Sequence, residues 1–226
     1  MINKVPVKKL IEFRRLSERR RSTFANSLKT PKMPKSDDSS GGDYWKRSTS
    51  GLSNAFKYND NKLIQEKIDS VSSVYESARK ESTKRMYKRN LEILHSYTTF
   101  DFSIWRPPTD LRFLTKSKLM LTIKDIPIQV LPHHIFSYED KGKSSIGGIW
   151  FVVWLDGFKP GDLGIYSESL FRYLTLIYSK KYNVDPNYCL TVDASSKDVV
   201  SYTQVLKGKI PSLLENTVDT LNKFLI

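Results

Sequence analysis

An acid-x-Lys sequence, Glu139-Asp140-Lys141, lies 14 residues after Asp125, and these residue types suggest chemistry. Two carboxylates supply the hard oxygen ligands that Mg²⁺ prefers, and a nearby lysine stabilises charge on a phosphate. The corresponding reaction is metal-assisted cleavage of a phosphodiester. The same residues are also typical of an exposed hairpin turn, because Gly142 follows at once. We favour the turn, so Asp125, Glu139 and Lys141 are secondary catalytic candidates.

Histidine and cysteine do not form a metal-binding pattern in this sequence. His133 and His134 are adjacent, and neighbouring residues of a strand point to opposite faces, so the two rings cannot bind one ion together. His95 is isolated, and Cys189 is not at the spacing of zinc ligands. We expect one of the paired histidines to be packed inward and the other exposed, and Cys189 to be a buried thiol in a reducing compartment. No metal or cofactor is predicted, except Mg²⁺ if the acids are catalytic.

Positive charge is concentrated near the amino end. The formal net charge is +13, and residues 1–49 contain 13 Lys and Arg against 5 Asp and Glu. Such a cluster indicates a polyanionic partner, with nucleic acid first, DNA ahead of RNA, and an acidic protein as the alternative. The residues predicted to neutralise phosphates are Arg14, Arg15, Arg19, Arg20 and Arg21, with a second surface at Lys84, Arg85, Lys88 and Arg89.

Two short patterns have competing interpretations. Glu76, Glu81 and Glu92 are interspersed with the second basic surface, which favours a solvated face of salt bridges over a binding surface. The aromatic pair Tyr44-Trp45 precedes two cations and has the composition of a base-stacking platform. We favour an anchor that fixes the first helix in the core, because large aromatic residues are usually buried.

The elements that must position these residues divide the chain into three parts. Residues 1–43, which contain several prolines and glycines, are predicted to be a flexible basic arm. Residues 44–110 are predicted to be helical, with one long helix over Lys62–Thr98. Residues 111–226 are predicted to form an α/β part, and 44–226 are expected to fold as one domain.

The last part carries a strand pattern followed by a helical one. Short turns favour a three-stranded antiparallel meander, whose strands are predicted at Leu119–Ile123, Ile128–Tyr138 and Ile146–Leu155. A helix after Pro160, the strand Tyr188–Asp193, a further strand at Val199–Val205 and a C-terminal helix over Ser212–Ile226 follow. The core order is helix, three strands, helix, strand, and the predicted fold class is α/β.

Three short sequences lie on these elements: Pro132-His133 in the second strand, Gly148-Ile149-Trp150 in the third, and Asp162 to Tyr166 in the following helix. In position and element order they resemble the PD-(D/E)XK nuclease-like superfamily, and its RecB-like branch in particular. Members often carry Pro-Asp, acid-x-Lys and Gln-x-x-x-Tyr at these places. The resemblance covers roughly residues 62–193 and implies a nuclease-like fold.

The residues that cleavage would need are replaced in this chain. The imidazole of His133 is a poor ligand for Mg²⁺, and Gly148 supplies no ligand at all. Trp150 cannot replace the cation of a lysine. Asp162 is explained as well by helix capping as by the family motif, and Tyr166 by a place in the core. His133 and Tyr166 therefore join the secondary catalytic candidates.

From these observations we expect a nuclease-like protein that binds nucleic acid through its basic arm and has lost catalysis. The resemblance suggests a mobile-element or phage-defence setting. Two alternatives remain: an active Mg²⁺-dependent nuclease that uses Asp125 and Glu139, and a protein-interaction module with an acidic partner. No apolar run approaches the roughly 20 residues of a membrane helix, and no signal pattern is present, so we predict a cytoplasmic protein without a membrane partner.

Overall fold

The chain begins with a short strand and two helices that pack into the core. The computed structural model describes residues 3–30 and 44–225. Its first elements are β1 (Val5–Pro6), α1 (Val7–Arg15) and α2 (Glu18–Lys29). Val7, Leu10 and Ile11 form a buried stripe at helical spacing. The prediction of a flexible arm is therefore wrong for residues 3–30, whereas residues 31–43 lie outside the described residues.

Three helices form the next layer: α3 (Lys46–Tyr58), α4 (Lys62–Ser77) and α5 (Glu81–Ser96), followed by a 3₁₀ turn at Phe102–Trp105. The predicted single helix over Lys62–Thr98 is wrong, because Ala78 and Lys80 adopt extended ψ angles of 130° and 129°. A continuous helix of that length would extend about 55 Å, far beyond the strands that it covers. The break lets α4 and α5 both pack on α3.

The remaining elements are β2 (Arg112–Leu114), β3 (Leu121–Ile123), β4 (Ile126–Gln129), β5 (His134–Asp140), β6 (Lys143–Val152), α6 (Pro160–Tyr178), β7 (Asn183–Asp193), β8 (Val199–Ser201), α7 (Tyr202–Leu206) and α8 (Leu214–Lys223). They build a five-stranded sheet of order β2-β5-β6-β7-β8 and a three-stranded sheet of order β1-β4-β3. In the larger sheet only β6 and β7 are parallel, and α6 makes the crossover between them.

The strands that form the meander are not the ones that were predicted. The predicted strand Ile128–Tyr138 is split between β4 and β5, which belong to different sheets. Pro132 lies in the break, where it has no N–H to donate to a strand ladder. The first strand of the meander is β2, which was not predicted, and Val199–Val205 divides into β8 and most of α7. The fold class is α/β, as predicted.

Two apolar cores lie on opposite faces of the five-stranded sheet. One face of β6 packs through Trp150 and Val152 against α6, α8 and the amino-terminal helices. The other face packs through Ile149 and Phe151 against α3, α4 and α5. Cys189 is fully buried, as predicted, and burial raises the pKa of its thiol. No helix among the described residues is long and apolar enough to cross a membrane.

Candidate functional site

The acidic catalytic candidates do not form a metal site. Asp125 is exposed in the turn between β3 and β4, in the three-stranded sheet, whereas Glu139 is exposed at the end of β5 in the other sheet. Lys141 and Gly142 form the β5–β6 hairpin turn with φ angles of 50° and 77°, so the interpretation of a turn is confirmed. Among residues 3–30 and 44–225, no group of three or more His, Cys, Asp or Glu side chains is placed to hold a metal ion.

The other two catalytic candidates, His133 and Tyr166, line one cavity of about 290 Å³. It opens at the end of β6, where the α6 layer and the α3 layer separate. We call it the His133 cavity, and its lining is Pro6, Val7, Lys8, Trp45, Thr49, Gln129, Leu131, His133, Trp150, Phe151, Val152, Val153 and Tyr166. The fold therefore brings these two candidates together, whereas nothing in the sequence pointed to Lys8 or Gln129.

Both paired histidines are partly buried and bonded, so the prediction that one is exposed is wrong. The Nδ1 atom of His133 accepts a hydrogen bond from the Phe151 amide at 3.1 Å, which leaves the ring proton on Nε2. Burial, with smaller effects from Lys116 and His134, lowers the pKa of His133 to about 3. His134 Nε2 donates to the Ser53 carbonyl at 2.9 Å, and chiefly burial lowers its pKa to about 4.

Packing closes the two β6 positions where the resemblance would place an acid and a lysine. A Cβ atom on Gly148 would lie 2.9 Å from the carbonyl oxygen of His134 and 3.2 Å from Leu170 Cδ1. The indole N–H of Trp150 donates to the Leu131 carbonyl, and its ring meets that of Tyr166 at 4.8 Å between centroids. Gly148 therefore has no room for a side chain without movement of the backbone or of α6, and the indole of Trp150 is fixed by its own contacts.

The carboxylate of Asp162 is also hydrogen-bonded within the fold. Its carboxylate accepts a hydrogen bond from the Arg15 guanidinium at 2.6 Å and another from the Lys159 amide at 3.2 Å. It lies in the first turn of α6 and bonds back to the residue that precedes the helix, so its role at the helix start is confirmed. Arg15 also donates to the Gly157 carbonyl at 3.0 Å and lies 4.4 Å from the Trp154 ring centroid.

Three of the five amino-terminal arginines predicted to contact phosphates make contacts within the fold. Arg15 is held as described, Arg14 donates to Thr217 Oγ1 at 3.4 Å, and Arg21 donates to the carbonyls of Phe13 and Arg14 at 3.2 and 2.7 Å. The hydrogen bonds of these guanidinium groups connect α1 to α2, α6 and α8. Arg19 and Arg20 are exposed and remain available to solvent.

A second cavity, of about 370 Å³, lies between α3, α4 and α5. We call it the basic pocket, and its lining is Tyr44, Lys46, Arg47, Ser50, Lys67, Met86 and Tyr87. Of the predicted second surface, Arg89 adjoins this pocket by donating to Tyr44 Oη at 3.2 Å. Arg85 and Lys88 are exposed on α5, and Lys84 is half-buried; these three do not line the pocket.

Within residues 3–30 and 44–225, the cations of the basic pocket have no carboxylate partners. The five ion pairs in the described parts of the chain involve Lys9, Arg15, Lys124 and Arg172, and none includes a side chain of α3, α4 or α5. The expected face is therefore solvated, as the exposure of Glu81, Arg85 and Lys88 shows, but its predicted salt bridges are wrong. Burial and then the charge of Arg47 lower the pKa of Lys67, so two cations repel each other here. Arg47 instead packs on the ring of Tyr87, with 4.9 Å to its centroid.

Asn90, which the sequence did not indicate, fixes the start of α3 beside α5. Its side-chain amide donates to the carbonyls of Tyr44 and Met86, both at 2.8 Å, and its Oδ1 accepts from the Ser48 amide at 2.8 Å. Asn90 is fully buried, so these bonds are shielded from water. Of the predicted aromatic anchor, Trp45 packs against the core while half-buried, and Tyr44 is held through its backbone carbonyl. The same bonds place Lys46 and Arg47 at the pocket.

Comparison of the chain with protein-family models, with curated proteins and with solved structures finds no match in any of the three. The assignment of a function therefore depends on the two cavities and their chemistry.

Gly148→Ala should destabilise the protein by about 1–3 kcal/mol, because the added methyl group meets a backbone carbonyl that cannot rotate away. Urea unfolding followed by circular dichroism measures the change. Lys143→Ala, an exposed substitution on the same strand, should change stability by less than about 0.5 kcal/mol. Equal urea midpoints of unfolding for the two variants would show that β6 tolerates a side chain at Gly148.

Acidification should destabilise the protein through His133 and His134. The folded state holds both rings neutral, whereas unfolded histidines gain protons below about pH 6.5. The unfolded state then binds more protons, so the free energy of unfolding falls as the pH drops from 6.5 towards the folded values of about 4 and 3, by about 1.4 kcal/mol per pH unit and histidine.

Urea unfolding at pH 7, 6 and 5 tests this expectation. His134→Asn should remove about half of the pH dependence, and the exposed control His95→Asn should retain all of it. An unchanged dependence in His134→Asn would assign the effect to other groups.

Proposed function

We propose that this protein is a nuclease-like module that binds nucleic acid without cleaving it, and that the basic pocket makes the main phosphate contact. The observation that carries the proposal is the crowding of Arg47 and Lys67, without a carboxylate among the described residues paired to either. A phosphate would relieve the repulsion between the two cations and accept their hydrogen bonds.

Aromatic and hydroxyl groups around these cations favour nucleic acid over an acidic protein. Tyr44, Tyr87 and Ser50 place hydroxyls beside Lys46 and Arg47. Arginine and aromatic side chains that alternate in this way suit the phosphates and stacked bases of a nucleic acid strand. Carboxylates of an acidic protein would use only the charges. An acidic partner remains the alternative occupant.

The nuclease-like part of the proposal comes from the resemblance and from the order of elements. The strands β2, β5 and β6 form an antiparallel meander, and α6 then crosses to the parallel strand β7. The positions that would carry catalytic side chains hold His133, Gly148 and Trp150. This order of elements, without the charged groups that cleavage needs, supports a protein that binds nucleic acid and does not cleave it. We take DNA as the first candidate and a mobile-element or phage-defence setting as the context that the resemblance suggests.

A labelled DNA strand, titrated with the protein and followed by fluorescence anisotropy, tests the basic pocket. The variant Lys46→Gln/Arg47→Gln/Lys67→Gln should bind at least tenfold more weakly at low salt. Its log–log salt slope should be smaller by about 2, because fewer counterions are released. The control Lys180→Gln/Lys207→Gln/Lys209→Gln removes the same charge from exposed positions outside the pocket and should bind within twofold of the original protein.

Two outcomes would contradict the proposal: no binding by the original protein at low salt, or equal losses in the pocket and control variants. The same samples, incubated with plasmid and Mg²⁺ or Mn²⁺, should leave the DNA intact. Cleavage that disappears in Glu139→Ala would instead establish the active metal nuclease. Circular dichroism confirms that each variant is folded before binding is compared.

A further inference from the structure

The His133 cavity has the shape and lining for a flat ligand. Trp45, Trp150 and Tyr166 bring aromatic rings to its wall, and the ring of His133 joins them. Its volume of about 290 Å³ lies at the lower end of the range of small-ligand sites, near 300 Å³. Aromatic walls at this size favour a single planar ring system over a chain or a bulky group.

The polar groups of this cavity are mostly uncharged. His133 is neutral and retains its Nε2–H, because Nδ1 already accepts the Phe151 amide. The half-buried side-chain amide of Gln129 offers a donor and an acceptor and has no hydrogen-bond partner within residues 3–30 and 44–225. Lys8 is the single charged residue in the lining. Such groups match the edge of a nucleobase, whereas a phosphate would require more positive charge.

The start of α3 lies between the two cavities. Tyr44 lines the basic pocket, Trp45 lines the His133 cavity, and their ring centroids are 4.7 Å apart. In a nucleotide, one sugar joins the phosphate to the base. The length of one nucleotide therefore suits the step from the basic pocket, past the rings of Tyr44 and Trp45, to the His133 cavity. A phosphate on Arg47 and a base beside Trp45 would belong to the same strand.

We propose that the His133 cavity binds one unpaired base of a nucleic acid strand whose phosphate occupies the basic pocket. This inference rests on the proposed function and adds the class of ligand, which is a single strand, a frayed end or an extruded nucleotide. Bases inside a duplex are stacked and paired, so they cannot enter this cavity without leaving the helix. Gln129 and His133 bind the edge of the base, and the aromatic rings contact its faces.

Binding of a 12-nucleotide single strand and of the duplex formed from the same sequence tests the inference. The original protein should bind the single strand about tenfold more tightly, since stacking of one base contributes that order of affinity. Gln129→Phe puts a ring into the cavity in place of the amide and should abolish this preference, while duplex binding and its salt dependence stay unchanged. Gln129→Leu is the second variant in case Gln129→Phe does not fold. It keeps the approximate volume of the side chain and removes the amide, so it should reduce the preference several-fold.

The matched control is Thr122→Phe, which adds the same ring at an exposed position of β3, in the same three-stranded sheet. It should keep the full preference for the single strand. Equal affinity of the original protein for both DNAs would overturn the inference, as would a preference that survives both Gln129 variants.

Free nucleotide is a second source of the same base chemistry, and titration with adenosine monophosphate distinguishes it. Saturable binding that Gln129→Phe abolishes, without any preference for single strands, would overturn the strand as the ligand. Failure of this inference is separable from failure of the proposed function. If both DNAs bind equally and depend on Lys46, Arg47 and Lys67, only the base site is wrong; if neither DNA binds, the proposed function is wrong as well.

Discussion

The burial of β6 on both faces is the constraint on which the rest of the structure depends. Its side chains alternate between the α6 layer and the α3 layer, and every residue from Ile146 to Val152 is buried. Gly147 and Gly148 permit the close approach of Tyr188 and Leu170. A strand packed in this way has no place for an ionised side chain, because a buried charge requires a partner. The close packing at Gly148 therefore leaves no room for the acid of an acid-x-Lys pattern.

Local signals predicted β6, α6 and the Lys141-Gly142 turn, because each depends on neighbouring residues. The apolar run of β6 needs only two covered faces, and the turn needs two residues that tolerate a positive φ. The break at Ala78 was not predictable in this way, since apolar residues continue at helical spacing on both sides of it. The pairing of β1 with β4 joins Val5 to Ile128, and no local pattern encodes a partner so distant in sequence.

The two cavities show the same limit of prediction from local sequence. His133, Tyr166 and the aromatic start of α3 could be identified from the sequence, because their residue types are uncommon. Lys67, Asn90 and Gln129 have ordinary types, and only the fold places Lys67 and Gln129 in the wall of a cavity and buries Asn90 beside the start of α3. Charge counts also overestimated the amino-terminal arginines, since a guanidinium that bonds carbonyls and a carboxylate inside the fold contributes to packing and not to a binding surface.

The contacts of Arg14 and Arg15 have a consequence for synthesis of the chain. They bind Thr217 and Asp162, which are 203 and 147 residues further along the sequence. The contacts of α1 are therefore complete only after α6 and α8 have been synthesised. Until then, Leu10, Ile11 and Phe13 lack part of the core that covers them and are open to chaperones. Loss of α8 would uncover part of α1.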